Sequence, residues 1–119
     1  MPIFRHRAKS APAVASHAGD DRLLAEIQSR SDPLAPRHWV HYLYCADENA
    51  ARHAATEIAA AGWTLQRVDV AAQGTGWVVI AEKHNVVTSP SAVCAARTFF
   101  EGVASRVEGG DYDGWEASL

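Results

Sequence analysis

Gly109-Gly110-Asp111-Tyr112-Asp113-Gly114-Trp115-Glu116 packs three glycines, two aromatics and three carboxylates into eight positions. The stretch is too rich in glycine for a helix interior and too aromatic for a disordered tail. It reads as an ordered loop pinned to the domain by Tyr112 and Trp115. The elements before it follow a β-α-β-β-α order, so how the fold closes depends on whether this stretch supplies a short last strand or none.

Working back from Gly109, Val93, Ala96, Phe100, Val103 and Val107 recur at three- and four-residue steps. They predict a helix capped by Ser89, opened by Pro90 and ended by Gly109-Gly110, with Arg97, Glu101 and Arg106 facing water. Trp63 to Val70 and Gly76 to Lys83 read as two strands, joined by Ala71-Ala72-Gln73-Gly74-Thr75, a connection suited to an antiparallel hairpin. Upstream of them, Asp47 is a good N-cap for a helix carrying Ala51, Ala54, Ala55, Ile58 and Ala59 on one stripe and stopping at Gly62. Its alanines imply close packing on a sheet.

The run His38-Trp39-Val40-His41-Tyr42-Leu43-Tyr44-Cys45 is dense in β-favouring residues and predicts a central strand. Alternation sorts Trp39, His41, Leu43 and Cys45 onto one face and Val40, Tyr42 and Tyr44 onto the other, both expected to be covered. Leu23, Leu24 and Ile27 predict an opening helix that begins at an acidic cap, Asp20 or Asp21, and ends by Pro33. Residues 1–19 mix Ala, Ser, Pro and His with Arg5, Arg7 and Lys9 and no acid, and read as a disordered basic tail. The expected architecture is α+β: a ferredoxin-like (split βαβ), antiparallel-rich sheet with helices packed on one face, forming a single domain over residues 20–117.

Composition narrows the function. Hydrophobic residues make up 48% of the 119 and charged residues 21%, and no apolar run nears the ~20 residues needed to cross a bilayer. No membrane partner and no secretory signal are expected, which places the protein in the cytoplasm. Net charge is −3, and the three bases before position 20 leave eight bases against fourteen acids, −6, in the remainder. An acidic domain does not suit direct binding to nucleic acid by phosphate neutralisation and does suit a basic protein partner.

Metal and catalytic motifs are weak. Cys45 and Cys94 have no CxxC partner and read as reduced, buried thiols. His38 and His41 lie three apart in a strand and point to opposite faces, while His53 and His84 sit on other elements without chelating spacing. No metal and no cofactor are expected. Asp111 and Asp113, near Glu108 and Glu116, offer an acid/base pair or a cation site, but Asp-x-Asp-Gly is also what a turn requires. Tyr42 and Tyr44 invite comparison with the stacking aromatics of an RNA-recognition motif, yet the acidic balance favours core tyrosines.

Taken in order, Leu23-Leu24 on the opening helix, Pro36-Arg37 leading into Val40-His41-Tyr42-Leu43-Tyr44, the alanine-rich helix ending at Gly62-Trp63, Trp77 opening a strand, and the terminal Gly109–Glu116 motif resemble the regulator of ribonuclease activity B (RraB) family over residues 20–117. The resemblance implies a small non-enzymatic protein that binds ribonuclease E and inhibits its cleavage of RNA. The surface such a protein would use is expected at Asp111, Asp113, Glu116 and Glu108, which can pair with Arg- or Lys-rich segments, with Tyr112 and Trp115 bracing the loop or anchoring the partner. The alternative is an orphan small-ligand-binding or enzymatic domain that uses the Asp111 and Asp113 carboxylates. A buried pocket lined by them would mark it.

Overall fold

A computed structural model describes residues 3–5 and 17–119. The elements in chain order are β1 (Ile3–Arg5), α1 (Ala18–Arg30), β2 (Arg37–Cys45), α2 (Glu48–Ala60), β3 (Thr64–Val70), β4 (Trp77–Val86), α3 (Pro90–Ser105) and β5 (Asp111–Ser118). They form one five-stranded sheet in the order β1-β5-β2-β4-β3, antiparallel at every pairing. Leaving out β1 and α1, the β-α-β-β-α-β order and the spatial order β5-β2-β4-β3 are the split βαβ, ferredoxin-like fold.

The terminal stretch is therefore a full strand and not a loop. β5 pairs with the central strand β2 from Tyr44↔Asp111 to Trp39↔Ala117. Its glycines serve the strand. Gly110 passes so close to α3 that a Cβ there would sit 2.0 Å from the Ala104 carbonyl oxygen, and Gly109, at φ +66, leaves no room beside Ala46. Between His41↔Trp115 and Leu43↔Tyr112, β5 carries one residue more than β2, and Gly114 takes up this bulge at φ +94.

Most of the segment read as a disordered tail lies outside the described residues. Its described positions are structured: Ile3–Arg5 pair with β5, Ile3 opposite Ser118 and Arg5 opposite Glu116. An unpaired strand edge offers a row of backbone donors and acceptors, and β5 supplied one that composition could not reveal. Helix α1 likewise starts earlier than expected. Its N-cap is His17, whose Nδ1 accepts from the Asp20 backbone N–H at 3.2 Å, which frees the Asp20 carboxylate for a tertiary role.

The other helix ends follow local chemistry. Asp47 Oδ1 accepts from Ala50 N–H at 2.9 Å at the start of α2, and Ser89 Oγ accepts from Ala92 N–H at 3.2 Å at the start of α3. Gly62 leaves α2 at φ +98. All three helices lie on one face of the sheet. Against them β2 presents Trp39, His41, Leu43 and Cys45, which form the core with Ala51, Ala54 and Ile58 of α2 and Val93, Phe100 and Val103 of α3. Methyl-sized side chains on α2 let its backbone approach the sheet closely.

A buried polar chain ties the layers together. Asp20 accepts from Arg97 at 2.6 and 3.0 Å and from Trp115 Nε1 at 2.9 Å. Arg97 also reaches Glu101 at 3.1 Å and places its guanidinium carbon 4.9 Å from the centre of the Tyr112 ring. The Tyr112 hydroxyl lies 2.7 Å from His41 Nδ1, and His41 stacks on Phe100 at 4.4 Å. Arg97, expected in water, is buried because Asp20 receives its charge. Cys45 is buried and Cys94 exposed, so only the first fills a core position.

Candidate partner-binding face

Antiparallel partners share a face of the sheet, so the residues alternating with the core positions of β2 lie together on the side away from the helices. The register sets Asp111 opposite Tyr44, Glu116 opposite Val40 on β5, and Glu82 opposite Val40 on β4, with Tyr42 opposite Ile80. At the far strand, Arg67 and Asp69 align with Ile80 and Val78. Among the described residues no helix covers this face. Tyr42 and Tyr44 are half-buried upon it, not core tyrosines, and the expectation that both faces of β2 are covered holds for the helix side alone. Even so, Val40 and Val78 are buried there under neighbouring side chains.

The predicted site residues divide by depth. Tyr112 and Trp115 are 0% and 1% exposed; they hold β5 to the core through His41, Arg97 and Asp20. Burial lifts the Tyr112 hydroxyl pKa well above its ordinary value, so it stays a neutral hydrogen-bonding group. Asp113 is 7% exposed beside the Gly114 bulge. Asp111 and Glu116 are half-buried on the open face, where Glu116 accepts from the Tyr42 hydroxyl. Glu108 is exposed in the turn before β5, its carbonyl accepting from Ala46 N–H at 2.9 Å. The structure thus brings Asp111 and Glu116 onto one surface with two tyrosines and turns Tyr112 and Trp115 away from it.

Further acidic groups join from strands that the sequence reading did not associate with the motif. Glu82 lies on the same face, its pKa lowered chiefly by a 2.6 Å hydrogen bond from His38 Nε2, with burial opposing. Arg67, a cation of this face, is spent on Asp69 at 3.3 Å. The signal that could have found the face was the alternation in β2 itself: tyrosine has a polar end, and Val-Tyr-Tyr is a weaker core set than Trp-Leu-Cys.

A cleft of about 410 Å³ lies on the other side of the sheet, lined by Trp39, Trp63, Lys83, Val86, Ala96 and Phe99 among others. Neither Asp111 nor Asp113 lines it. Among the described residues no helix is long and apolar enough to cross a membrane.

No curated protein matches the chain. Residues 17–117 match the family described as regulator of ribonuclease activity B. That span takes in α1 through β5, the whole ferredoxin-like unit with the terminal strand included. The chain belongs to the RraB family of regulators of ribonuclease activity.

Proposed function

We propose that this regulator acts by binding an endonuclease of the ribonuclease E type through the open face of its sheet, and so lowers cleavage of RNA in the cytoplasm. The observation that carries the reading is the grouping of Asp111 and Glu116 with Tyr42 and Tyr44 on a surface that no helix among the described residues covers. Carboxylates flanking aromatic side chains suit an Arg- or Lys-rich segment: the charges steer and pair, and the rings take the aliphatic stems and guanidinium planes. Such segments on a nuclease otherwise contact RNA phosphates, so occupying them competes with substrate. Glu108, at the edge of the same end of β5, extends the acidic surface. Tyr112 and Trp115 support it from below, since their burial removes them from direct contact, and Asp113 is buried beside the Gly114 bulge.

The experiment is a binding and cleavage assay with a purified ribonuclease E-type enzyme. The full chain is expected to be captured by the nuclease, to slow cleavage of a single-stranded RNA, and to lose both effects as salt rises. Capture that is absent, or that is indifferent to salt, contradicts the reading.

A further inference from the structure

His38, Glu82 and His84 converge on the open face, at the β2–β4 pairing. His38 Nε2 lies 2.6 Å and His84 Nε2 3.5 Å from the same Glu82 oxygen, Oε1, and the three donor atoms all fall within 4.8 Å of one another. The two imidazoles are stacked, centroids 4.2 Å apart and 2° from parallel. Gln66 Nε2 donates to that same Glu82 oxygen at 3.0 Å, a fixed support of the kind that orients a ligating carboxylate.

The backbone is built to bring these groups together. Glu82 and His84 are two apart on β4 and share a face, while Lys83 between them turns to the helix side, its ammonium 4.2 Å from the centre of the Trp63 ring. Between Trp39↔Lys83 and Arg37↔Val86, β4 has one residue more than β2. The extra residue is taken up at Asn85, which adopts φ +57 and is, among the described residues, the one non-glycine with a positive φ. A bulge of this kind re-aims side chains, and here it sets His84 against His38 across the strands.

We propose that His38, Glu82 and His84 form a binding site for a zinc ion, with a fourth position open to water or to a group from a partner. Two imidazoles and one carboxylate are a donor set that zinc favours over calcium or magnesium. Zinc bonds of about 2.1 Å put neighbouring ligand atoms about 3.4 Å apart in a tetrahedron, within the spread already present, and the exposed His84 ring is free to adjust. Sequence spacing alone does not reveal the site, because the histidine nearest His38 in sequence, His41, is sent to the core by alternation, and β4 runs through His84 to Val86 instead of stopping at Lys83. The site shares the open face and Glu82 with the nuclease-binding reading, but neither inference depends on the other.

The test is calorimetric titration of the full chain with zinc chloride in a non-chelating buffer. One saturable equivalent is expected. His84→Ala and Glu82→Gln should each weaken it by at least about tenfold, with unchanged far-ultraviolet circular dichroism, while His53→Ala on α2 leaves it unaltered. Cobalt substitution should give a visible absorption band that His84→Ala abolishes. Absence of saturable binding to the native chain, or an affinity that survives loss of both His38 and His84, overturns the proposal.

Discussion

Asp20 of α1 and Arg97 of α3 form a buried two-contact ion pair, at 2.6 and 3.0 Å, and the same carboxylate takes the indole N–H of Trp115 from β5. One aspartate therefore joins the first helix, the last helix and the last strand of the family domain. Removing one partner strands a charge away from water, so Arg97→Met is expected to cost about 3–5 kcal/mol of folding stability. The double variant Asp20→Leu/Arg97→Met should cost clearly less than the sum of the two singles, because it leaves no unpaired charge. Urea denaturation of the four proteins in this cycle measures the coupling, and strict additivity would contradict it.

Gly110→Ala is expected to destabilise by about 2–3 kcal/mol, since the new methyl group meets the Ala104 carbonyl and the backbone of α3 or β5 must shift. Gly74→Ala, at φ +79 in the β3–β4 turn with open space around it, carries only the smaller conformational cost of about 1 kcal/mol. Thermal melts of the two variants side by side should rank them in that order.

Much of the fold was legible because local chemistry decided it. Asp47 and Ser89 cap the helices they were expected to cap, Gly62 stops α2, and Ala51, Ala54, Ala55 and Ile58 of the expected stripe are buried while Ala59 is exposed. What was not legible depended on distant partners. The glycines at 109, 110 and 114 suggest a loop when read locally, yet they answer to Ala46, Ala104 and the bulge opposite β2. Arg97 has a surface residue's composition and a buried residue's partner. Of the candidate site, the carboxylates Asp111 and Glu116 were read from the motif, whereas Tyr42, Tyr44 and Glu82 joined them only through register between strands far apart in sequence.

His41 sits fully buried among Trp39, Trp63, Phe100 and Tyr112, and burial, with Arg97 and Lys83 nearby, holds its pKa well below 6.5. Its folded pKa lies below the unfolded value, so the unfolded chain binds the extra proton. This contribution to stability is complete above about pH 6.5 and is lost as pH falls below it, at up to about 1.4 kcal/mol per pH unit. Urea midpoints followed from pH 7 to pH 5 should show the decline. His41→Phe/Tyr112→Phe, which removes the titrating group together with its hydroxyl partner, should flatten that part of the profile.

Cys45 is buried and its thiol is pushed up to about 11, chiefly by burial, whereas Cys94 is exposed on α3. The thiolate is the reacting form, so alkylation of the native protein at pH 8 is expected to label Cys94 and spare Cys45. Mass spectrometry should show a single adduct under native conditions and two in denaturant.

The central claim is that the open acidic face of the sheet receives the nuclease. Its most direct test is the affinity of the chain for a ribonuclease E-type endonuclease, measured at low and at physiological salt, against that of Asp111→Asn/Glu116→Gln. Both substitutions keep side-chain size and leave Tyr42 a hydrogen-bond acceptor at position 116. The account predicts a loss of at least about tenfold at low salt, equivalent to about 1.4 kcal/mol, a weaker salt dependence, and an unchanged urea midpoint. Equal affinity and equal salt dependence in a double variant that is folded as well as the native chain would contradict it.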